Sequence, residues 1–195
     1  MRERIIATAT GLFVQRGYEG VAMREIAEAC GITKAALYYH FDGKPDLLNA
    51  ICVSYLAEIA GVVEASADHG TGEPRLRWLV EQLFALPPEH RAIMRLAMHE
   101  VGQLQPEQRA AFAGDYRARF IGPLQRIVSE GTASGAFTAK DPAVVVWVLL
   151  GMLYPFFAPP GTGPSTGPET IADLLDVFFH GLSTEPPAHP TAAKL

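Results

Sequence analysis

Apolar residues recur at helical spacing along almost the whole 195-residue chain, and the interruptions cut it into helices. Ile5, Ile6, Ala9, Leu12 and Phe13 form a first stripe that stops at Gly17, a residue suited to a helix C-cap. Residues 23–29 make a second, short helix with Ile26 and Ala27 inward and Arg24, Glu25 and Glu28 outward, broken at Cys30-Gly31. Thr33 is placed to N-cap a third helix over 34–40, anchored only by Ile32 and Leu37. Asp42-Gly43-Lys44-Pro45 is a turn that starts a fourth helix, with Pro45 where a missing N–H does no harm. Leu47, Leu48, Ile51, Tyr55 and Ile59 carry that helix's stripe towards Ser66.

After the break Asp68-His69-Gly70-Thr71-Gly72, the helical period resumes. Leu76, Leu79, Val80 and Leu83 define one helix, ended by Pro87-Pro88, and Ile93, Ala97, Val101 and Leu104 define the next. Phe112, Tyr116, Phe120, Leu124 and Ile127 mark a long helix that should bend near Gly122-Pro123, because proline removes a ladder hydrogen bond. Asp141-Pro142 opens the apolar run 143–158, and Ile171, Leu174, Leu175, Phe178 and Leu182 make the last amphipathic helix after a Pro/Gly loop over 159–168. No segment sustains period-2 alternation, so the expected fold is all-α with about nine helices. The Pro-rich tail over 185–195 is expected to be flexible.

Composition narrows the functional classes. With 49% hydrophobic and 19% charged residues the chain lies far from the composition of disordered proteins. The run 143–158 falls short of the roughly 20 residues that span a bilayer, and Gly151 and Pro155 interrupt it. Arg2, Glu3 and Arg4 lead directly into an amphipathic stripe rather than a secretory signal, so a cytoplasmic protein with no membrane partner is expected. Cys30 and Cys52 lack the spacing of a disulfide framework or zinc site and read as reduced thiols, and no cofactor is expected. The net charge of −5 lies wholly beyond residue 50, because residues 1–50 balance six Lys or Arg against six Asp or Glu. Any DNA contact must therefore come from a few placed residues rather than a basic face.

Two short helices joined by a glycine turn, the second thinly anchored and rich in polar and aromatic groups, match a helix-turn-helix, although an αα-hairpin in a bundle has the same outline. Ala27 is small where the helices cross, Gly31 permits the turn, and Ile32 and Leu37 dock the second helix. Enzyme motifs fail on context. Gly163-Pro164-Ser165-Thr166-Gly167 fits GxSxG, but a nucleophile elbow needs a strand before it and a helix after it. His99-Glu100 starts an HExxH-like string that ends in Gln103, without the second ligand.

The set Arg4-Ile5-Ile6, Leu12-Phe13, Gly17-Tyr18-Glu19-Gly20, Ile26-Ala27, Gly31-Ile32-Thr33-Lys34, Leu37-Tyr38-Tyr39-His40-Phe41, Lys44 and Asp46-Leu47-Leu48 resembles the N-terminal domain of the tetracycline-repressor (TetR) family of bacterial regulators. The resemblance implies a homodimer that binds a palindromic operator in double-stranded DNA through residues 1–46. It also implies a small-molecule effector bound by a helical effector-binding and dimerisation domain over 47–184. Carried over by position, base reading falls on Lys34, Ala35 and Tyr38, with Arg24 a further reader of guanine, and phosphate contact on Tyr39, His40 and Lys44. Thr33 is left to cap its helix, to touch phosphate, or to do both; for Tyr38, Tyr39 and His40, packing within the domain is the alternative. Ala22 departs from the family, which has Ser or Thr there to cap the second helix and hold a phosphate.

For the effector, the large groups Trp78, Phe84, Met94, Met98, Phe112, Tyr116 and Phe120 exceed what one core stripe needs, and Trp147 and Tyr154 add to them from the next helix. Each has ordinary core packing as its alternative. Arg95 and His99, one turn apart, would favour an acidic or hydrogen-bonding end on the ligand if they face the same space. The stretches 142–157 and 169–182 are apolar on more than one face, as a dimer interface would require. A helical small-molecule carrier, or an enzyme reusing the fold, would account for the second half but not for Lys34, Tyr38 and Lys44.

Overall fold

The computed structural model describes residues 1–159 and 161–180. Leu182 and the expected flexible tail over 185–195 lie outside the described residues. The helices are α1 (Arg2–Arg16), α2 (Met23–Ala29), α3 (Lys34–His40), α4 (Lys44–Ala65), α5 (Glu73–Ala85), α6 (Pro88–Glu100), α7 (Pro106–Tyr116), α8 (Gly122–Ala133), α9 (Pro142–Leu153) and α10 (Pro168–His180). A π-helical turn, Arg117–Ile121, joins α7 to α8 without a break, so the described residues hold nine helical rods and no strand. That turn stands where a bend is expected. Pro123 has no N–H for the carbonyl of residue 119, and just ahead of it the ladder widens so that the Gly122 N–H reaches the Arg117 carbonyl.

α1, α2 and α3 close around Ile5, Ala9, Phe13, Ile26, Ala27, Leu37 and Phe41, all essentially without solvent exposure. The α2–α3 turn depends on Gly31, whose φ of +64° lies in the left-handed region that a side chain disfavours. There the Gly31 N–H donates to the Glu28 carbonyl and the Ile32 N–H to the Ala27 carbonyl, both at 3.0 Å, which ties the end of α2 to the start of α3. The Arg4 guanidinium donates to the Cys30 carbonyl at 2.9 Å and pins α1 to the same turn.

α4 is the spine. Leu47, Leu48 and Ile51 near its N-terminal end and Tyr55, Leu56, Ile59 and Val63 further along belong to one continuous core, which runs from the helices around Phe13 and Leu37 to Leu76, Leu79, Val80, Ile93, Leu124, Ile127 and Leu149. The segment long and apolar enough to cross a membrane by length and composition is α4 with its 3-10 extension (Lys44–Asp68, mean hydropathy 1.5), not the 143–158 run. Its buried face packs against α1, α5, α6 and α7, which is the position of a core helix. At its N-terminal end the Asp46 carboxylate accepts from the Asp42 N–H at 3.3 Å and from the Gln108 side-chain amide of α7 at 3.3 Å.

Candidate nucleic-acid interface and ligand cavity

α3 buries one residue, Leu37, and exposes most of the rest. Lys34, Ala35, Tyr38 and Tyr39 are exposed, Tyr39 to 86% and Tyr38 to 42%. The Lys34 ammonium lies 5.6 Å from the Tyr38 ring centre, so cation and phenol stand on one patch. The Tyr39 and His40 rings meet edge to face at 5.3 Å, with His40 half-buried. Thr33 caps: its hydroxyl accepts from the Ala36 N–H at 3.1 Å. An apolar α3 would be expected to sink this surface into the core; here a single anchor leaves one whole face to solvent.

The flanks are positioned by specific contacts. Lys44, half-buried, holds its ammonium 4.2 Å from the Tyr18 ring centre, and burial, with help from Glu19 and Glu100, pushes the Tyr18 phenol up to about 12. That cation–π seat went unnoticed in the sequence, although Tyr18 stands in the quoted motif. Arg24 is exposed and 3.4 Å from Glu28. At Ala22, alanine offers no acceptor to the first turn of α2, and only half of a capping box remains. The Glu25 carboxylate accepts from the Ala22 N–H at 2.7 Å and from Arg16 at 2.7 Å, contacts that lower its pKa, the backbone one most.

The second half contains an apolar cavity of about 280 Å³ between α4, α6, α7 and α9, lined by Tyr55, Leu56, Ile59, Met94, Met98, Phe112, Tyr116 and Trp147 among others. A neighbouring space of about 200 Å³ shares Met94, Met98, Tyr116 and Trp147 and extends to Leu150, Tyr154 and Phe157. Burial raises the Tyr116 phenol to about 12 and the Tyr55 phenol further, so both remain neutral hydroxyl donors in an otherwise greasy wall. At the edge, the Tyr154 hydroxyl hydrogen-bonds His99 Nε2 at 2.8 Å, and the Arg95 guanidinium lies 5.6 Å from the Tyr154 ring centre.

Of the expected lining residues, Met94, Met98, Phe112, Tyr116, Trp147 and Tyr154 face these spaces. Three do not. Trp78 stacks on His69 at 3.9 Å on another face of the molecule. Phe84 stacks on Phe157 at 5.2 Å as core, and Phe120 is fully buried. His99 is exposed at the rim and reaches the cavity only through Tyr154. Tyr55, Leu56 and Ile59 were missed because the stripe of α4 reads as core throughout; the phenol of Tyr55, a polar tip in an apolar row, was the one available signal.

On α9 and α10, Val144, Trp147, Val148 and Val177 form an exposed apolar face, with Trp147 56% accessible while also lining both spaces.

Residues 5–51 match the model described as bacterial regulatory proteins of the tetR family, and residues 69–157 match the tetracyclin repressor-like C-terminal domain. The chain belongs to the TetR family. Among solved TetR-family structures it is similar to PfmR of Thermus thermophilus, with 26% identity, 92% of this chain and 99% of that one covered, and a TM-score of 0.77. It is also similar to AibR, solved with isovaleryl coenzyme A and operator DNA, with 28% identity, 91% and 97% covered, and a TM-score of 0.78. Apo AibR gives 30% identity, 92% and 98% covered, and a TM-score of 0.72. Among curated proteins, the transcriptional repressor KstR2 of Rhodococcus jostii (strain RHA1) is 26% identical over 70% of this chain and 67% of its own length. The match to YerO of Bacillus subtilis (strain 168) spans only 29% of that protein.

Proposed function

We propose that this TetR-family protein is a cytoplasmic, homodimeric, ligand-responsive transcriptional repressor rather than an enzyme. The single observation that carries the reading is the solvent-facing patch of α3, where Lys34, Ala35, Tyr38 and Tyr39 stand free on a helix held by Leu37 alone. A helix so held has a face to insert into a major groove. Lys34 supplies donors for guanine O6 and N7, the Ala35 methyl suits a thymine methyl, and Tyr38 reads beside them, with Arg24 a further guanine reader. Tyr39, His40 and Lys44 hold phosphates, and Thr33 combines its capping bond with a phosphate contact.

The apolar cavity receives a small, largely apolar effector, whose acidic or hydrogen-bonding end meets Tyr154, His99 and Arg95. The AibR complex, which holds both an acyl thioester and operator DNA, and KstR2, named as a repressor, support this assignment. Two copies pair through α9 and α10, where Val144, Trp147, Val148 and Val177 would be covered. The two α3 helices then reach successive major grooves about 34–36 Å apart.

Contacts between α7 and α4 support a route for the coupling. Phe112 and Tyr116 line the cavity, and one turn earlier on the same helix Gln108 grips Asp46, two residues from Lys44. An effector that displaces α7 pulls on the N-terminal end of α4. A 100-fold loss of operator affinity requires about 2.7 kcal/mol of coupling between the two sites. The test is a mobility-shift titration and footprint with the DNA upstream of the protein's own gene. Protection of a palindrome by the wild-type dimer supports the reading, and equal affinity for that DNA and for random duplex refutes it.

A further inference from the structure

The Lys44 ammonium sits in a corner made by two buried rings. Phe13 of α1 and Tyr18 of the loop after it are 1% and 4% exposed, and their ring centres lie 5.2 Å apart with the planes tilted by 59°. The ammonium is 4.2 Å from the Tyr18 ring centre and 6.0 Å from that of Phe13. Lys44 is also the first residue of α4, so its backbone is set by the helix start. Among the described residues it forms no ion pair. The carboxylate two residues along, Asp46, accepts instead from the Asp42 N–H and the Gln108 amide. The cation is therefore held by ring faces and left without a counter-charge.

Lys34 gives the contrast. Its ammonium lies 5.6 Å from a single ring, Tyr38, which is itself 42% exposed, so water competes for that contact. The attraction between a cation and a ring face strengthens where both are withdrawn from water, which is the condition at Lys44. A free lysine carries a strongly hydrated ammonium on a flexible stem and loses that freedom when it grips an anion. Restricting the stem beforehand lowers that cost. The side chain is only half-buried, so N–H donors not facing the rings remain for an outside acceptor.

We propose that Phe13 and Tyr18 are positioning residues for DNA binding: their ring corner holds the Lys44 ammonium where it meets a phosphate, and Tyr18, the nearer ring, carries most of the effect. Both rings are too buried to reach DNA themselves, so they act through Lys44 alone. The effect is independent of base sequence, because a phosphate contact carries no sequence information. The proposal rests on the reading of Lys44 as a phosphate contact.

The test is a double-mutant cycle on the full-length protein, with operator affinity measured by anisotropy at several salt concentrations. Tyr18→Leu should weaken operator binding about fivefold in the wild-type background and less than about twofold in Lys44→Met, while Tyr18→Phe, which keeps the ring face, should bind as wild type. A purely structural role for Tyr18 would instead weaken both backgrounds equally, and that result would overturn the proposal. A ring-fluorinated phenylalanine in place of Tyr18 keeps the shape and weakens the ring face, so it should lose affinity relative to Tyr18→Phe even if thermal melting shows Tyr18→Leu to be unfolded. Without DNA, isotope-labelled lysine supplies a second readout, because the chain has only four lysines. The Lys44 ε-methylene protons, assigned by their loss in Lys44→Met, should be shifted upfield by ring current in wild type and Tyr18→Phe and return to their ordinary position in Tyr18→Leu. An unshifted signal in the wild type would overturn the ring corner itself. Wild-type affinity and salt slope in Lys44→Met would overturn the phosphate contact and the proposal with it, whereas reduced affinity in Lys44→Met with an additive cycle would overturn the positioning role alone.

Discussion

The α3 face and the effector cavity put their functional groups in opposite surroundings. α3 holds one side chain in the core and leaves Lys34, Tyr38 and Tyr39 in water, so each proposed contact with DNA is a local property of one residue. The cavity is assembled from four helices far apart in sequence, and its lining is chemically the same as the core beside it. A recognition surface of the first kind can be changed one residue at a time; a cavity of the second kind changes through volume and through the packing of its neighbours.

Four expected outcomes would break or sharpen that contrast, ordered by size. Leu37→Ala removes the only buried anchor of α3 and should cost about 2–5 kcal/mol in denaturant unfolding, as for other buried leucines. Operator binding should vanish with it, while effector binding survives. If DNA binding persisted, α3 would not be docked as described. Next, Met94→Trp should fill the space shared by the two parts of the cavity and weaken effector binding at least tenfold, about 1.4 kcal/mol, with operator affinity in the absence of effector unchanged. Loss of both activities together would show that Met94 serves the fold instead.

Third, Lys34→Ala and Lys44→Glu should separate base reading from phosphate holding. The first should relax sequence preference at one position by about 1–3 kcal/mol. The second should weaken all sequences alike and flatten the salt slope by about one unit, measured by fluorescence anisotropy between two salt concentrations. Equal loss on specific and random DNA for Lys34→Ala would reassign it to the backbone. The smallest effect concerns acid. Glu25 has its pKa lowered by the Ala22 amide and Arg16, so its contribution is complete above the unfolded value of 4.5 and is lost as pH falls below it. Glu25→Gln should reduce the loss of stability on acidification through that range, and an unchanged pH profile would dismiss the half capping box as a source of stability.

Local signals carried the N-terminal half. Gly17, Gly31, Thr33 and Pro45 mark helix ends by their own chemistry, and the structure places α1, α2 and α3 where those residues require. The Thr33 cap was readable as one of the two roles open to it, because a hydroxyl just ahead of a helix is placed to accept from a first-turn amide. The cavity was not readable in the same way. Trp78, Phe84 and Phe120 carry the same helical spacing as Phe112 and Tyr116, and only the crossing of α4, α6, α7 and α9 decides which of them meets empty space. Gly122-Pro123 announced a disturbance but not its form, since a π turn and a kink both answer a missing N–H. The Gln108–Asp46 bond, spanning 62 positions, leaves no trace in spacing at all.

The central claim is that occupancy of the apolar cavity sets the DNA affinity of α3. Its most direct test is an operator titration followed by anisotropy, with and without saturating amounts of a compound that calorimetry shows to bind the wild-type dimer but not Met94→Trp. Compounds made or exported by neighbouring gene products are the first to try. Coupling of about 2.7 kcal/mol predicts an operator Kd about 100-fold higher with the compound present, and no such change in the variant. Tight binding in the cavity with an unchanged operator Kd would contradict the account.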